Sequence, residues 1–210
     1  MNDLQRTEKW YQERLGHLTA SVASDVLVDL KGGKHSAKYF DRMYKLIAER
    51  MTGEPAEDVF VNQQMQWGID HEADAVSAYE IATGSIVEMA GFIKCPGIEW
   101  LGASPDGLVD KDGLIEIKCP NTITHLKRMN DNCVPEDRKP QMMVQLLCTG
   151  RKWCDFVDFD PRIEEQSLQL MIQRYEPTEK ERSEALKKIK LFLQETEEKH
   201  QYLKKLYEGK

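Results

Sequence analysis

The chain has 210 residues, of which 29 are basic and 36 acidic, giving a formal net charge of −7. That length fits one domain with a helical appendage and allows a buried core without disulfides or a structural metal. Hydrophobic residues at 40% and charged residues at 31% exclude a disordered or fibrous chain, the apolar runs are too short to span a bilayer, and the acidic balance argues against a protein that merely coats nucleic acid.

The N-terminus, MNDLQRTEKWYQERLG, is charged throughout and has no signal-peptide core. It predicts a helix over 3–16, with Leu4, Trp10, Tyr11 and Leu15 as its apolar members and Gly16 as the stop. A second helix is expected from about 19 to 30, then a polar loop, Lys31 to Ser36. Helical spacing resumes from Ala37 to Met51 and again from about Asn62 to Gly84. Alternating apolar residues and glycine-bounded turns then predict strands over 86–94, 98–103, 107–110 and 114–118, with Asp110–Gly113 as a hairpin turn. Further expected elements are helices over 122–129 and 141–149 and a strand over 153–158; 163–175 reads equally as strand or helix. Thr178-x-x-Glu181 is a capping box that opens a long helix with an apolar stripe through Leu186, Ile189, Leu193, Thr196, His200, Leu203 and Tyr207, interrupted by two polar members. The expected organisation is a 1–175 domain and a 176–210 amphipathic helix, packed on the core or at a subunit contact. Cys95, Cys119, Cys133, Cys148 and Cys154 show no C-x-x-C spacing, so reduced thiols in a cytosolic protein are expected rather than a zinc ribbon or Fe–S cluster.

The chemistry concentrates in Ser104-Pro-Asp106-Gly, followed ten residues after the aspartate by Glu116-x-Lys118-Cys-Pro. On a strand Glu116 and Lys118 share one face, while Ile115 and Ile117 turn to the other. A hairpin over Asp110–Gly113 returns Glu116 towards Asp106. Two carboxylates and an ammonium at one point suit phosphodiester hydrolysis: carboxylate oxygens hold Mg²⁺, the metal lowers the pKa of a bound water, and the lysine orients the attacking oxygen. A bare E-x-K would read as a cross-strand ion pair; the preceding Ser-Pro-Asp-Gly and the following Cys-Pro favour the nuclease. Lys31–Ser36 lacks the spacing of a Walker loop. Lys34, Lys38, Arg42 and Lys45 make either a local basic surface or a solvated helix face. His71 reads as structural.

These motifs resemble the PD-(D/E)xK nucleases and, more narrowly, the YqaJ-type viral recombinase family of lambda-exonuclease-like enzymes. Trp10-x-x-x-Arg14-Leu-Gly-x-x-Thr-Ala-Ser21, Trp67-Gly-x-x-x-Glu72-x-x-Ala, Gln141, and Thr149-Gly-Arg-Lys-Trp153 through Asp160-Pro-Arg follow the family's order. The resemblance runs from Trp10 to about Arg162. It implies an α/β PD-(D/E)xK core, with a central mixed sheet flanked by helices and a C-terminal helix. It implies two Mg²⁺ ions, with Mn²⁺ as a substitute, held by Asp106, Glu116, Glu72 and the carbonyl of Ile117. Lys118 would place or activate the water, helped by Gln141. Arg14, Ser21 and Ser104 match a pocket for a 5′-phosphate, Trp10 a neighbour of the terminal nucleotide or a core residue, and Met65 an apolar wedge. The family pattern is broken at Arg138, where an aromatic is usual, and at Met143, where a second glutamine is usual.

The activity so implied is 5′→3′ exonucleolytic removal of one strand of linear double-stranded DNA as mononucleotides, leaving a 3′ overhang. The implied partners are DNA ends, a phage single-strand annealing protein and two further copies of the chain in a homotrimeric ring. No membrane is involved; the setting is the cytoplasm of a bacterial host carrying a phage or prophage. The rival readings are an endonuclease with the same metal site and a non-catalytic DNA-end-binding scaffold.

Overall fold

The structure is a computed structural model that describes residues 4–56 and 61–208, the last two by backbone alone. Asp3 and the Tyr207 side chain therefore lie outside the described residues. The first helix, α1 (Glu8–Arg14), is shorter than the expected 3–16; Thr7 caps it by accepting from Trp10 N. The expected helix over 19–30 does not form. In its place stand a strand, β1 (Leu18–Thr19), a 3₁₀ turn (Ala20–Val22) and one helical turn, α2 (Ser24–Leu27). The reason is tertiary: β1 pairs in parallel with β4 (Leu101–Ala103), Leu18 opposite Leu101, and a pairing of buried residues overrides local helical propensity.

Helices α3 (Ala37–Thr52) and α4 (Gln63–Thr83) follow as expected. The single strand expected over 86–94 is split into β2 (Val87–Glu88) and β3 (Ile93–Lys94), which belong to different sheets. β1, β4 and β3 form a small three-stranded sheet. The larger sheet has the order β2-β5-β6-β7-β8, with β5 (Gly107–Val109), β6 (Gly113–Lys118), β7 (Trp153–Phe159) and β8 (Leu170–Tyr175). Within this sheet, among the described residues, β6 and β7 are the parallel pair, and the connection between them carries α5 (Thr122–Asp131) and α6 (Lys139–Thr149). The ambiguous stretch 163–175 resolves into a 3₁₀ turn (Gln166–Leu168) and the edge strand β8, antiparallel to β7.

Alternation along the two central strands buries both faces of this sheet. Ile115, Ile117, Val157 and Phe159 meet Ala75 and Tyr79 of α4 on one side. Leu114, Cys154 and Phe156 meet Met142 and Leu146 of α6 on the other. A further cluster joins Leu18, Tyr39, Met43, Leu46 and Val144 to Ile189 and Phe192 of α7 (Glu179–Glu208). Each of the Leu, Ile, Val, Phe and Met side chains so buried stabilises the fold by about 1.5–3 kcal/mol relative to exposure. The Thr178–Glu181 box is formed at the start of α7, the Thr178 N–H donating to Glu181 Oε2 at 2.8 Å. Among the described residues no helix is long and apolar enough to cross a membrane.

Candidate active site

The β5–β6 hairpin assembles the acidic centre. Gly107 pairs with Ile115, so the residue before β5 lies across from Glu116. That residue is Asp106, and its Oδ2 accepts from the Ile117 N–H at 2.7 Å, which pins the turn to the strand. Gly107 is required here by space: a Cβ would stand 2.3 Å from Val87 Cγ1. Glu116 and Lys118 project from one face of β6 and pair with each other. Glu116 is fully buried. Its Oε1 also accepts from Gln141 Nε2 and its Oε2 from Gln145 Nε2, each at 2.6 Å.

Burial and the adjacent Glu116 charge push Asp106 well above the usual carboxylate range, against the opposing pull of Lys118. Burial disfavours the Lys118 ammonium, but the Glu116 and Asp106 carboxylates outweigh it and raise its pKa. Asp106 and Glu116 thus repel each other's charge, and the lysine pairs with Glu116. The hard oxygen donors of the two carboxylates fit a divalent cation such as Mg²⁺. The expected third carboxylate is differently engaged: Glu72 Oε2 on α4 accepts from Arg6 Nη2 at 2.6 Å. Among the described residues no group of three or more acidic, histidine or cysteine side chains is arranged to hold a metal.

Asp106, Lys118, Glu72 and Ile117 line an open cleft of about 720 Å³, with Met65 on its wall. Met65 is exposed rather than part of the core. Four guanidinium groups border the same space: Arg6, Arg128, Arg138 and Arg162. Arg162 also lies over the Trp67 ring, 4.5 Å from its centroid.

A separate cluster around one guanidinium forms two residues before Asp106. Ser104 Oγ accepts from Trp10 Nε1 at 2.9 Å and from Arg14 Nη1 at 3.3 Å. The Arg14 guanidinium covers the Trp10 ring at 4.0 Å. Burial lowers the Arg14 pKa to about 10. A partly buried guanidinium with no carboxylate ion pair among the described residues, beside a hydroxyl, is suited to an anion. Ser21 is exposed and its hydroxyl meets Thr19 Oγ1 at 3.2 Å, so the structure does not bring it to Arg14 by a direct contact.

A profile of the YqaJ-like viral recombinase domain matches residues 9–152. The chain belongs to this family. The fold resembles the crystal structure of an alkaline exonuclease from Laribacter hongkongensis, with 40% identity, a TM-score of 0.86, and coverage of 95% of this chain and 97% of that one. A second crystal structure of that enzyme, in complex with dAMP, matches with the same scores. A phage-related exonuclease from Haemophilus somnus 129PT shares the fold at 15% identity and a TM-score of 0.66, over 90% of this chain and 96% of that one. Among curated proteins there is no significant match.

In this YqaJ-like domain the two positions flanking Gln141 singled out in the sequence take different places. Arg138 puts a guanidinium at the cleft, paired with the neighbouring Asp137 at 3.2 Å. Met143 is buried. The second amide at the acidic centre comes instead from Gln145, one turn after Gln141. Sequence reasoning missed Gln145, although the i, i+4 spacing on a helix following Pro140 was a usable signal. It also missed Arg6, whose contact with Glu72 spans 66 residues of chain and has no local signature.

Proposed function

We propose that this protein is a Mg²⁺-dependent 5′→3′ exonuclease that degrades one strand of linear double-stranded DNA to mononucleotides. The observation that carries the reading is the placement of the Arg14–Ser104–Trp10 pocket two residues before Asp106. In this reading a phosphate held by Arg14 and Ser104 is registered against the acidic centre through the two-residue link from Ser104 to Asp106. The exonuclease title of the Laribacter relative and its dAMP complex support the same reading.

Asp106 and Glu116 are the residues to hold the metal, with the Ile117 carbonyl and, once Arg6 yields it, Glu72. Bound there, Mg²⁺ supplies Lewis-acid polarisation of the scissile phosphate and lowers the pKa of the attacking water. Lys118, kept cationic by its carboxylates, donates a hydrogen bond that orients the water and offsets charge growing on the phosphate. Gln141 restrains Glu116 and places the water. Arg14 and Ser104 bind the 5′-phosphate and so register the first phosphodiester against Asp106. Ser21 reaches this pocket only after local movement. Trp10 backs the pocket from below the guanidinium. Met65, exposed on the cleft wall, is placed to wedge the terminal base pair.

The proposed assembly is a homotrimeric ring around the duplex, which gives processivity without tight binding. A single-strand annealing protein of the phage takes up the 3′ overhang, in the cytoplasm of the bacterial host. Mn²⁺ is expected to substitute for Mg²⁺. The test is a duplex labelled separately at its 5′ and 3′ ends and incubated with Mg²⁺. Early release of the 5′ label as a mononucleotide, with the 3′ label retained on a long strand, supports the reading; early release of the 3′ label contradicts it.

A further inference from the structure

The acidic centre contains one fully buried polar side chain that the proposed chemistry leaves unused. Gln145 lies on α6, four residues after Gln141, so both amides face β6. Gln141 is partly exposed and reaches Glu116 Oε1, the oxygen that also faces Lys118. Gln145 is completely buried and reaches the other oxygen, Oε2, at 2.6 Å. A carboxylate only accepts, so the Gln145 NH₂ must face Glu116 and its carbonyl must face away. That carbonyl meets Cys154 Sγ of β7 at 3.9 Å, and the thiol is the donor. Cys154 is itself fully buried, opposite Leu114 in the β6–β7 ladder. A chain of contacts thus runs from β7 through α6 to the acidic residue of β6.

We propose that Gln145 is a positioning residue for the metal site: it anchors Glu116 Oε2 to α6 and so fixes Oε1 beside Lys118 and Asp106. This rests on the metal-dependent nuclease reading. With Oε2 anchored to Gln145, the carboxylate loses the freedom to rotate, and Oε1, which Lys118 and Gln141 face, is presented in one orientation. Loss of such an outer partner typically costs about 10–100-fold in metal affinity. A merely structural glutamine would change stability and leave metal affinity alone.

The experiment titrates Mn²⁺ into the DNA-free protein by calorimetry and compares wild type with Gln145→Met, which keeps the volume and removes the donor. Melting temperature and the kcat and KM for a 5′-phosphorylated duplex are measured alongside. The expected result is a Mn²⁺ affinity lower by about tenfold or more. The Mg²⁺ needed for half-maximal kcat should rise with it, while KM for DNA ends stays unchanged. Cys154→Ala keeps Gln145 but removes the thiol that orients its amide, and should show a smaller loss in the same direction. It supplies the readout if Gln145→Met does not fold. Wild-type Mn²⁺ affinity in the folded variants overturns the role of Gln145 alone. A wild-type protein that neither binds Mn²⁺ nor cleaves DNA overturns the nuclease reading beneath it.

Discussion

Lys118 and Arg14 are cations for different reasons, and their substitution should fail in different ways. Lys118 is held charged by Glu116 and Asp106, in a site where hydrogen-bond donation to a developing negative charge is worth most. Lys118→Ala should lower kcat by about 10²–10³-fold while DNA-end binding survives; near-normal turnover in a single-turnover assay would remove its role. Arg14 has a hydroxyl and an indole beside it. Arg14→Ala should weaken the use of 5′-phosphorylated ends by about 1.5–3 kcal/mol, the value of a charged hydrogen bond, and leave 5′-hydroxyl ends little changed. An equal loss on both ends contradicts the phosphate pocket. Asp106, Glu116 and Lys118 were legible in the sequence because a two-residue strand period and a short hairpin fix their mutual placement. Ser21 was less legible, because its expected helix gives way to a strand pairing with residues more than eighty positions away. Arg6 and Gln145 act through contacts whose partners no local pattern names.

Among the elements, α5, which brings Thr124 and Arg128 to the cleft, is tied to β7 by a buried ionic contact. His125 donates from Nδ1 to Asp158 Oδ1 at 2.5 Å and from Nε2 to the Leu168 carbonyl at 2.8 Å. With both ring nitrogens donating, the imidazole is the charged form. Burial opposes that charge, but the bonds to Asp158 and Leu168 outweigh it and raise the pKa above the ordinary 6.5. The sign follows: a raised folded pKa gives stability that is fully present below about pH 6.5 and is lost as pH climbs through the raised value. His125→Gln should therefore cost about 1.5–3 kcal/mol below that pH and progressively less above it. Thermal unfolding of both proteins across this range reads the difference; a gap that is constant with pH, or that widens as pH rises, contradicts the charged histidine. Long periodic elements such as α3, α4 and α7 were legible from spacing alone. The split of 86–94 was not, because two strands that share one apolar stretch diverge into different sheets only through their partners, β5 and β4.

For the whole molecule, the net charge of −7 coexists with four arginines bordering the cleft, each paired with a carboxylate: Arg6 with Glu72, Arg128 with Asp158, Arg138 with Asp137 and Arg162 with Asp160. A phosphate backbone at this cleft would compete with those carboxylates for the guanidinium groups. The five-stranded mixed sheet and its flanking helices place the hairpin, α4 and α6 around one point, while α1 and the residue after β4 bring Arg14 and Ser104 together. The measurement that tests this arrangement most directly is digestion with Mg²⁺ of 5′-phosphorylated linear duplex beside covalently closed circular duplex, with Asp106→Ala as control. Loss of the linear DNA, an intact circle and an inert variant are expected. A nicked or linearised circle would contradict the exonuclease in favour of an endonuclease, and an active Asp106→Ala would contradict the site itself.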